Sequence, residues 1–351
     1  MPIDTGLMIL GIESSCDESA LAVFDPTFGI RWEKVSTQID LHAVYGGVVP
    51  DLASREHLAA FDHLLEEWRT RQECGSLTKV AVTCGPGLAS CLAIGLSLAQ
   101  AISNALDKPL CGVNHLMGHA FSPFIPLHRS SPAQFRQDFE RLLPHLGLIV
   151  SGGNTMLIEI SVDRSIRVVA STVDDAAGEA LDKGAKLLGL GYPGGPRIEE
   201  LANKATEPFE HPFPVSFPSP EDLKFSFAGL KTSLRYTLEK MTDDTLKAKL
   251  ASVCFSYQQA VVDQLIRKTR QVLKTGRYRS IGLSGGVANN TPLRDAFVQT
   301  GRRSGVPALV ADKRHTGDNA SMIAFAAWMD APGILHNTPE TPLGFLPSMR
   351  L

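Results

Sequence analysis

Two stretches of the chain share one pattern: an apolar strand, a small polar or glycine-rich turn, and a second apolar strand. They are MILGIESSCDESALAVFD (8–25) and LGLIVSGGNTMLIEI (146–160). Glycines at a strand end let backbone N–H groups approach a phosphate closely. One such turn is usually only a tight turn, but two matched hairpins favour a duplicated nucleotide-binding unit. We therefore expect an α/β fold of two similar lobes with a ligand cleft between them.

Two further glycine turns follow apolar runs and lead into helical patterns. They are SIGLSGGVANN (280–290) and KVAVTCGPG (79–87), the second of which continues into the apolar helix LASCLAIGLSLAQAIS (88–103). The N-terminus of a helix favours an anion, so each turn is a candidate phosphate loop.

Length, net charge, cysteine content and hydropathy limit the class and the location of the protein. A chain of 351 residues is long enough for two domains, and a net charge of -3 gives no general attraction for nucleic acid, so such a partner would need a local basic patch. Six cysteines without a C-x-x-C motif indicate a reducing compartment. The start, MPIDTGLMILGIE, lacks the pattern of a secretory signal, and no apolar run reaches the length that spans a bilayer. We expect a cytoplasmic protein without a membrane contact.

Three basic segments lie in the second half of the chain: KTGRYR (274–279), GRR (301–303) and DKRH (312–315). They form either one patch or three separate solvated loops. Two segments rich in proline break regular structure. Residues 209–227 are predicted to be an ordered loop or lid, and residues 122–147 to connect the two lobes.

The segment VNHLMGHA (113–120) carries two histidines four residues apart, His115 and His119. This spacing places both imidazoles on one face of a helix, where they could bind one metal ion. Zinc peptidases of the H-E-x-x-H type place a glutamate beside the first histidine to activate water, and no such residue stands here. On its own, such a pair is more often two helix histidines that contact solvent and a nearby carboxylate.

The motifs taken together resemble the TsaD family, also called YgjD or Gcp, of tRNA N6-adenosine threonylcarbamoyltransferases. In chain order they are GIESSCDES, YGGVVPDLASREH, GPGL, NHLMGH, VSGGNT, DDAAGEALDKGAKLLGLGYPGGP, FSFAGLKT, SGGVANN and TGDNASMIAFAA. The resemblance implies a duplicated two-lobe fold of the actin/Hsp70/sugar-kinase (ASKHA) type. It predicts a first lobe of residues 1–121 plus 317–351, closed by the C-terminal helix, and a second lobe of residues 122–316.

The resemblance also implies a metal site. By motif position its ligands are His115, His119 and Asp318, which would hold one divalent ion, Fe²⁺ or Zn²⁺, per subunit. Two imidazoles and one carboxylate leave coordination positions open, as a catalytic site requires.

The substrate implied by the family is threonylcarbamoyl-adenylate, made by a separate synthase, with ATP or ADP as a further ligand. Asp182 and Glu199 could accept ribose hydroxyls, although Asp182 could also form an exposed helical pair with Lys183. The contacts carried over by motif are Ile149, Val150, Ser151, Gly152, Gly153, Asp182, Gly195, Glu199 and Asn290.

The implied reaction transfers the threonylcarbamoyl group to N6 of adenosine 37 in tRNAs that read ANN codons. Glu13, at the end of the first strand, is our candidate acid/base residue; alternatively its carboxylate only orders the turn through Ser14 and Ser15. Cys16 is expected to be a turn residue rather than a nucleophile.

Partners implied by the family are tRNA, an inactive TsaB-like paralogue and a small TsaE-like ATPase. The helix at 88–103 could pair with the paralogue or pack within its own lobe. Rival interpretations are an ATP-binding scaffold or regulatory subunit, a sugar-kinase-like phosphotransferase suggested by fold alone, and a metallopeptidase, which the missing glutamate disfavours.

Overall fold

A computed structural model describes residues 6–71, 76–219 and 221–351, so Cys74 lies outside the described residues. The chain divides into two compact units. The first comprises residues 1–142, 161–166 and 317–351, and the second comprises residues 143–160 and 167–316.

The first unit contains a mixed sheet with the strand order β12-β5-β4-β1-β2-β3. Its strands are β1 (Ile9–Glu13), β2 (Glu18–Asp25), β3 (Gly29–Thr37), β4 (Lys79–Gly85), β5 (Leu110–Asn114) and β12 (Leu335–His336). The central strand β1 pairs antiparallel with β2 and parallel with β4. It is fully buried, as its apolar residues 9–12 predict.

The second unit contains a sheet of the order β11-β10-β6-β7-β8-β9, in which the first five strands repeat the arrangement β5-β4-β1-β2-β3 of the first sheet. Its strands are β6 (His145–Val150), β7 (Thr155–Ile160), β8 (Ile166–Thr172), β9 (Lys224–Phe225), β10 (Ser280–Ser284) and β11 (Ala308–Val310). Here β6 pairs antiparallel with β7 and parallel with β10. The two hairpins recognised in the sequence are therefore the equivalent central hairpins of two sheets, which confirms the predicted duplicated α/β fold.

Helices cover the sheets. In the first unit they are α1 (Ile39–Ala43), α2 (Pro50–Arg69), α3 (Ala89–Leu106), α4 (His115–Phe121), α5 (Ile125–Ser130), α6 (Phe135–Arg141) and α12 (Ala320–Met329). In the second unit they are α7 (Ala177–Leu187), α8 (Gly194–Ala202), α9 (Ala228–Leu238), α10 (Asp243–Leu273) and α11 (Thr291–Ser304).

The predicted lobe boundary at residue 122 differs from the division seen in the structure. Residues 122–142 belong to the first unit rather than to the second lobe. They form α5 and α6, and their aromatic side chains pack against the first unit: the His128 ring lies 5.1 Å from Phe24, and the Phe135 ring lies 5.3 Å from Trp328. The prolines suggested a connection, but buried aromatic residues hold the segment in this core.

The proline-rich segment 209–227 is anchored to α10. Two guanidinium nitrogens of Arg267 donate to the carbonyl oxygens of Ser216 and Phe217, at 2.6 and 2.7 Å. Phe209 and Phe213 are buried in the core of the second unit. These contacts indicate an ordered loop rather than a lid.

Helix α3 is the one helix of the described ranges that is long and apolar enough to cross a membrane by length and composition. Our expectation that no apolar segment reaches that length is therefore wrong for this helix. Cys91, Leu92, Leu96 and Ala99 are buried within the first unit, and apolar core helices pass the same test.

Candidate metal and nucleotide sites

Helix α4 begins directly at the end of β5 and carries both histidines of the predicted pair. The side chain of Asn114 caps it by accepting a hydrogen bond from the backbone N–H of Leu116 at 2.8 Å. Because His115 and His119 are one turn apart, their rings meet edge to face with centroids 4.8 Å apart. Both histidines are buried.

Asp318 comes from the other end of the chain. It directly precedes Asn319, whose side chain caps α12 by accepting from the N–H of Met322. Helix α12 lies against β1 without a side chain between them, since a Cβ on Gly11 would fall 2.3 Å from the carbonyl oxygen of Ala320. This close approach sets the position of Asp318.

The three predicted ligands converge. Nε2 of His115 and Nε2 of His119 lie 3.3 and 3.2 Å from the same Asp318 oxygen, Oδ1. Ligand atoms about 2.0–2.2 Å from one tetrahedral ion are separated by roughly this distance. The donors, all within 4.8 Å of one another, therefore fit a single divalent ion. Imidazole and carboxylate ligands suit both Zn²⁺ and Fe²⁺.

The charges of these groups are strongly coupled. Burial raises the pKa of Asp318, but the neighbouring His115 and His119 outweigh it and hold that pKa far below its usual range. Burial lowers the pKa of His115, yet Asp318 and Glu13 on either side raise it well above its ordinary value. Burial lowers the pKa of His119, which favours the neutral imidazole. The ionised Asp318 carboxylate and the neutral His119 imidazole suit metal binding, whereas His115 must release a proton before its Nε2 can bind an ion.

Glu13 reaches this site from the end of β1. Its side chain is fully buried, and Oε2 lies 3.0 Å from Nδ1 of His115. Burial raises the pKa of Glu13, but the charge and hydrogen bond of His115 outweigh it, so that pKa is lowered and the carboxylate is ionised. An ionised carboxylate only accepts hydrogen bonds, so Nδ1 carries the proton and Nε2 is directed at Asp318.

The remaining hydrogen-bonding capacity of Glu13 is occupied by Ser15, the turn residue named in the alternative interpretation of Glu13, and by Thr83, which the sequence did not indicate. The hydroxyl of Thr83 donates to Oε2 at 2.6 Å, and the backbone N–H of Ser15 donates to Oε1 at 2.6 Å. Thr83 lies on the neighbouring strand β4, so only the strand order could have indicated its role. A buried carboxylate with both oxygens engaged is poorly placed to activate water, which also counts against a metallopeptidase.

Cys16 follows the same turn. Burial and the nearby Asp17 and Asp318 raise the pKa of its thiol. A thiol that stays protonated is a weak nucleophile, which agrees with the expectation of a turn residue.

In the second unit, the hairpin between β6 and β7 carries the predicted phosphate turn. The N–H of Ser151 donates to the carbonyl oxygen of Asn154 at 2.8 Å. Gly152 and Gly153 are exposed, and apart from its chain neighbours no residue lies within 4 Å of the position of a Cβ on either. The turn, which continues from Ile149 and Val150 in β6, is therefore open to a ligand.

Asp182 and Gly195 are brought together. Oδ1 of Asp182 accepts the backbone N–H of Gly194 at 2.7 Å, and Gly194 and Gly195 begin α8. Burial raises the pKa of Asp182, and the N–H groups of Gly194 and Gly195 act against that shift. Lys183 binds Asp175 and Glu179 instead, so Asp182 and Lys183 do not form an ion pair with each other.

Glu199 and Asn290 are also neighbours. The amide nitrogen of Asn290 donates to Oε2 of Glu199 at 3.2 Å and to Oε1 of Gln258 at 2.8 Å. Oδ1 of Asn290 caps α11 by accepting from the N–H of Leu293. Gln258, on α10, is a further member of this group that the sequence did not indicate.

The turn at 85–88 differs from a free phosphate loop. The N–H of Gly87 donates to the carbonyl oxygen of Pro347, and the N–H of Leu88 donates to that of Ser15, at 3.1 and 2.8 Å. These two donors are therefore already used within the first unit.

Solved structures of low sequence identity share the fold. HypF from T. kodakarensis aligns with a TM-score of 0.59 at 14% identity, over 94% of this chain and 48% of HypF. Component A of the (R)-2-hydroxyglutaryl-CoA dehydratase from Acidaminococcus fermentans aligns with a TM-score of 0.51 at 15% identity, over 92% and 98% of the two chains. Fold and site together define a protein of the actin-like, duplicated α/β class with a two-histidine, one-carboxylate cluster.

The particular family follows from sequence comparison. The family model of TsaD, described as tRNA N6-adenosine threonylcarbamoyltransferase, matches residues 29–325. Relatives of that name are 40% identical over 323 residues in Carboxydothermus hydrogenoformans and 43% identical over 321 residues in Anaeromyxobacter dehalogenans, covering 92% and 91% of this chain and 92% of each relative. The chain belongs to the TsaD family of tRNA-modifying transferases.

Proposed function

We propose that the chain transfers the threonylcarbamoyl group from threonylcarbamoyl-adenylate to N6 of adenosine 37 in tRNAs that read ANN codons. The observation that carries the proposal is the convergence of His115, His119 and Asp318 in a member of this transferase family. In the reaction, N6 attacks the carbonyl carbon of the threonylcarbamoyl group. The bond from that carbon to the phosphate oxygen breaks, AMP leaves, and N6 gives up a proton.

His115, His119 and Asp318 would hold one Fe²⁺ or Zn²⁺ ion. Such an ion supplies positive charge that orients the threonylcarbamoyl group and polarises its carbonyl. Glu13 was our candidate acid/base; its buried contacts with Thr83 and His115 support a positioning role, in which it directs Nε2 of His115.

The second unit would bind the nucleotide part of the adenylate, and ATP or ADP at the same contacts. Residues 149–153 would lie near the phosphate. The open turn with its exposed glycines supports this placement. Asp182, Gly195, Glu199 and Asn290 would lie near the ribose and base. Oδ1 of Asp182 accepts the N–H of Gly194, and Oδ2 could accept a hydroxyl of the ligand.

We infer that the enzyme acts in the cytoplasm with partners. Cys16, Cys84, Cys91, Cys111 and Cys254 form no disulfide, in keeping with a reducing compartment. A separate synthase would supply the adenylate, and a TsaB-like paralogue and a TsaE-like ATPase would assemble with the chain. Helix α3, which has small and half-exposed residues on one side, is the surface we propose for the paralogue.

The testing experiment is a reconstitution with purified chain, pre-made adenylate and an unmodified tRNA that reads ANN codons. The matched control is the same tRNA with guanosine at position 37. We expect modification of the first tRNA only, and efficient turnover only with the partners present. Equal modification of both tRNAs would refute the specificity, and full turnover by the chain alone would refute the dependence on partners.

A further inference from the structure

A group of exposed basic side chains in the second unit has no role in the metal or nucleotide sites. They come from the last turns of α10, the segment before β10, and the end of α11. The group consists of Arg270, Lys274, Arg277, Arg279, Arg302 and Arg303, and we call it the basic edge.

The fold brings these residues to one edge of the sheet. Strands β10 and β11 are parallel, and Ile281 is paired with Ala308, so the segments that precede the two strands are adjacent. Nε of Arg270 donates to the hydroxyl of Thr300 at 3.3 Å, which joins the ends of α10 and α11. Two of the three basic segments recognised in the sequence therefore form one surface.

The third basic segment, 312–315, does not belong to this surface. It follows β11 and lies at the opposite edge of the sheet, as does the turn at 151–153 after β6. Strand β10 has five residues, and a strand rises about 3.3 Å per residue, so the two edges are separated by roughly 17 Å.

The charge of the basic edge is largely uncompensated. Arg277 binds Glu159 at 2.7 Å, but Glu159 is shared with Arg167. Lys274, Arg279, Arg302 and Arg303 have no acidic partner among the residues that the structure describes. Like charges held together repel one another, and in a chain with a net charge of -3 such a concentration indicates an external anion.

A groove adjoins the basic edge, because Arg270 and Lys274 line both. Its volume is about 950 Å³, and its other walls are the segment 208–216 and residues of α10 and α11. The Oε1 atom of Gln271, on the groove wall, is buried and accepts no hydrogen bond from the described residues. A polyanion would match the uncompensated basic side chains. If it also carries hydroxyl or amino groups, these could donate a hydrogen bond to Oε1 of Gln271.

We propose that the basic edge docks the phosphate backbone of a stem of the tRNA substrate, away from the reacting adenosine. The inference rests on the proposed function, because tRNA is the polyanion that this reaction requires. Contacts to backbone phosphates carry no sequence information, so docking would be independent of the sequence of the stem.

The test compares the double variant Arg302→Gln/Arg303→Gln with Lys240→Gln/Lys247→Gln. The control removes the same charge from exposed lysines of the second unit that have no acidic partner in the described residues. Binding of full-length unmodified tRNA is measured by fluorescence anisotropy from 50 to 300 mM salt. Each lost phosphate contact lowers the slope of log K against log salt by about 0.7–0.9. We therefore expect R302Q/R303Q to bind about 25- to 60-fold more weakly at 0.1 M salt, and the control to bind like the wild type.

Equal weakening by both double variants would overturn the proposal, since it would show a general effect of net charge. An unchanged Kd for R302Q/R303Q with a lowered Tm would also overturn it, because the arginines would then serve only the C-terminal dipole of α11. The transfer assay with partners separates this proposal from the proposed function. An increased KM for tRNA with unchanged kcat supports docking, whereas no transfer by the wild type refutes the function itself.

Discussion

Oε2 of Glu13 lies 3.0 Å from Nδ1 of His115, although the two residues are 102 positions apart in the chain. Strand β4 lies between β1 and β5, and its Thr83 donates to the same Glu13 oxygen. The orientation of one predicted metal ligand thus depends on a buried carboxylate that would not touch the ion. Partners of this kind typically change metal affinity 10- to 100-fold.

Replacing Glu13 with Gln should therefore weaken metal binding about 10- to 100-fold while the fold is retained. The amide keeps the size of the carboxylate but gives up the charge that faces His115. The measurement is a competition titration of the apo protein with Zn²⁺ and a chelator of known affinity. Glu66→Gln, at an exposed position of α2, is the control. Wild-type metal affinity in E13Q would rule out the positioning role.

Loss of a direct ligand should reduce metal binding more than the Glu13→Gln substitution does. We expect His119→Ala to reduce the bound ion from one per chain to a small fraction, because only two of the three donors remain. Plasma emission spectroscopy of protein purified without added chelator measures the ion content. His63→Ala, an exposed histidine on α2, should keep the full complement. An equal ion content in the two variants would place the metal elsewhere.

Asp182 offers a test of the nucleotide contacts. Asp182→Ala and Asp182→Asn should both weaken adenylate binding, by about tenfold or more, because a hydrogen bond to a charged group is worth about 1.5–3 kcal/mol. Only the alanine variant should also lose about 1 kcal/mol of stability, since Asn can still accept the N–H of Gly194.

Calorimetric titration with a stable adenylate analogue, together with denaturant unfolding, measures both quantities. Glu200→Gln, an exposed neighbour on α8, is the control, and the ion content should not change in any of the three variants. Undiminished affinity in D182A would show that Asp182 serves only the N-terminus of α8.

The buried His145 predicts a pH dependence of stability. Burial lowers its pKa to about 3, and its Nδ1 lies 2.6 Å from the hydroxyl of Ser280. Below about pH 6.5 the unfolded chain binds a proton at this residue and the folded chain does not. The free energy of unfolding should therefore fall as the pH decreases from 6.5 toward 3, by about 1.4 kcal/mol per pH unit from this residue.

The contribution of His145 is isolated by comparison with His145→Asn, which cannot be protonated in this range. Denaturant unfolding between pH 4 and 7 should give a shallower dependence for the variant, by about one proton. Parallel pH profiles for the two proteins would contradict the assignment.

The duplicated fold could be predicted because each central hairpin combines two apolar strands with a short turn, a pattern local in sequence. The pair His115 and His119 could be recognised for the same reason, since helical periodicity relates residues four apart. Asp318 was reached only through family resemblance, because its position depends on how α12 packs against β1.

The errors have physical causes as well. The prolines of residues 122–147 indicated a connection, but Pro126 lies in the first turn of α5 and Pro132 opens the short turn before α6, which buries Phe135 and Phe139 in the first unit. Thr83 contacts Glu13 because their strands are neighbours in the sheet, and no local pattern contains the order of strands.

The central claim is that His115, His119 and Asp318 hold the ion needed for transfer to tRNA. The most direct measurement is the initial rate of transfer from labelled threonylcarbamoyl-adenylate to unmodified tRNA, with partners present, for wild type and Asp318→Asn of known ion content. We predict that D318N lacks the ion and reacts at least about 100-fold more slowly, because several kcal/mol of charge stabilisation are lost. Transfer at the wild-type rate by ion-free D318N would contradict the claim.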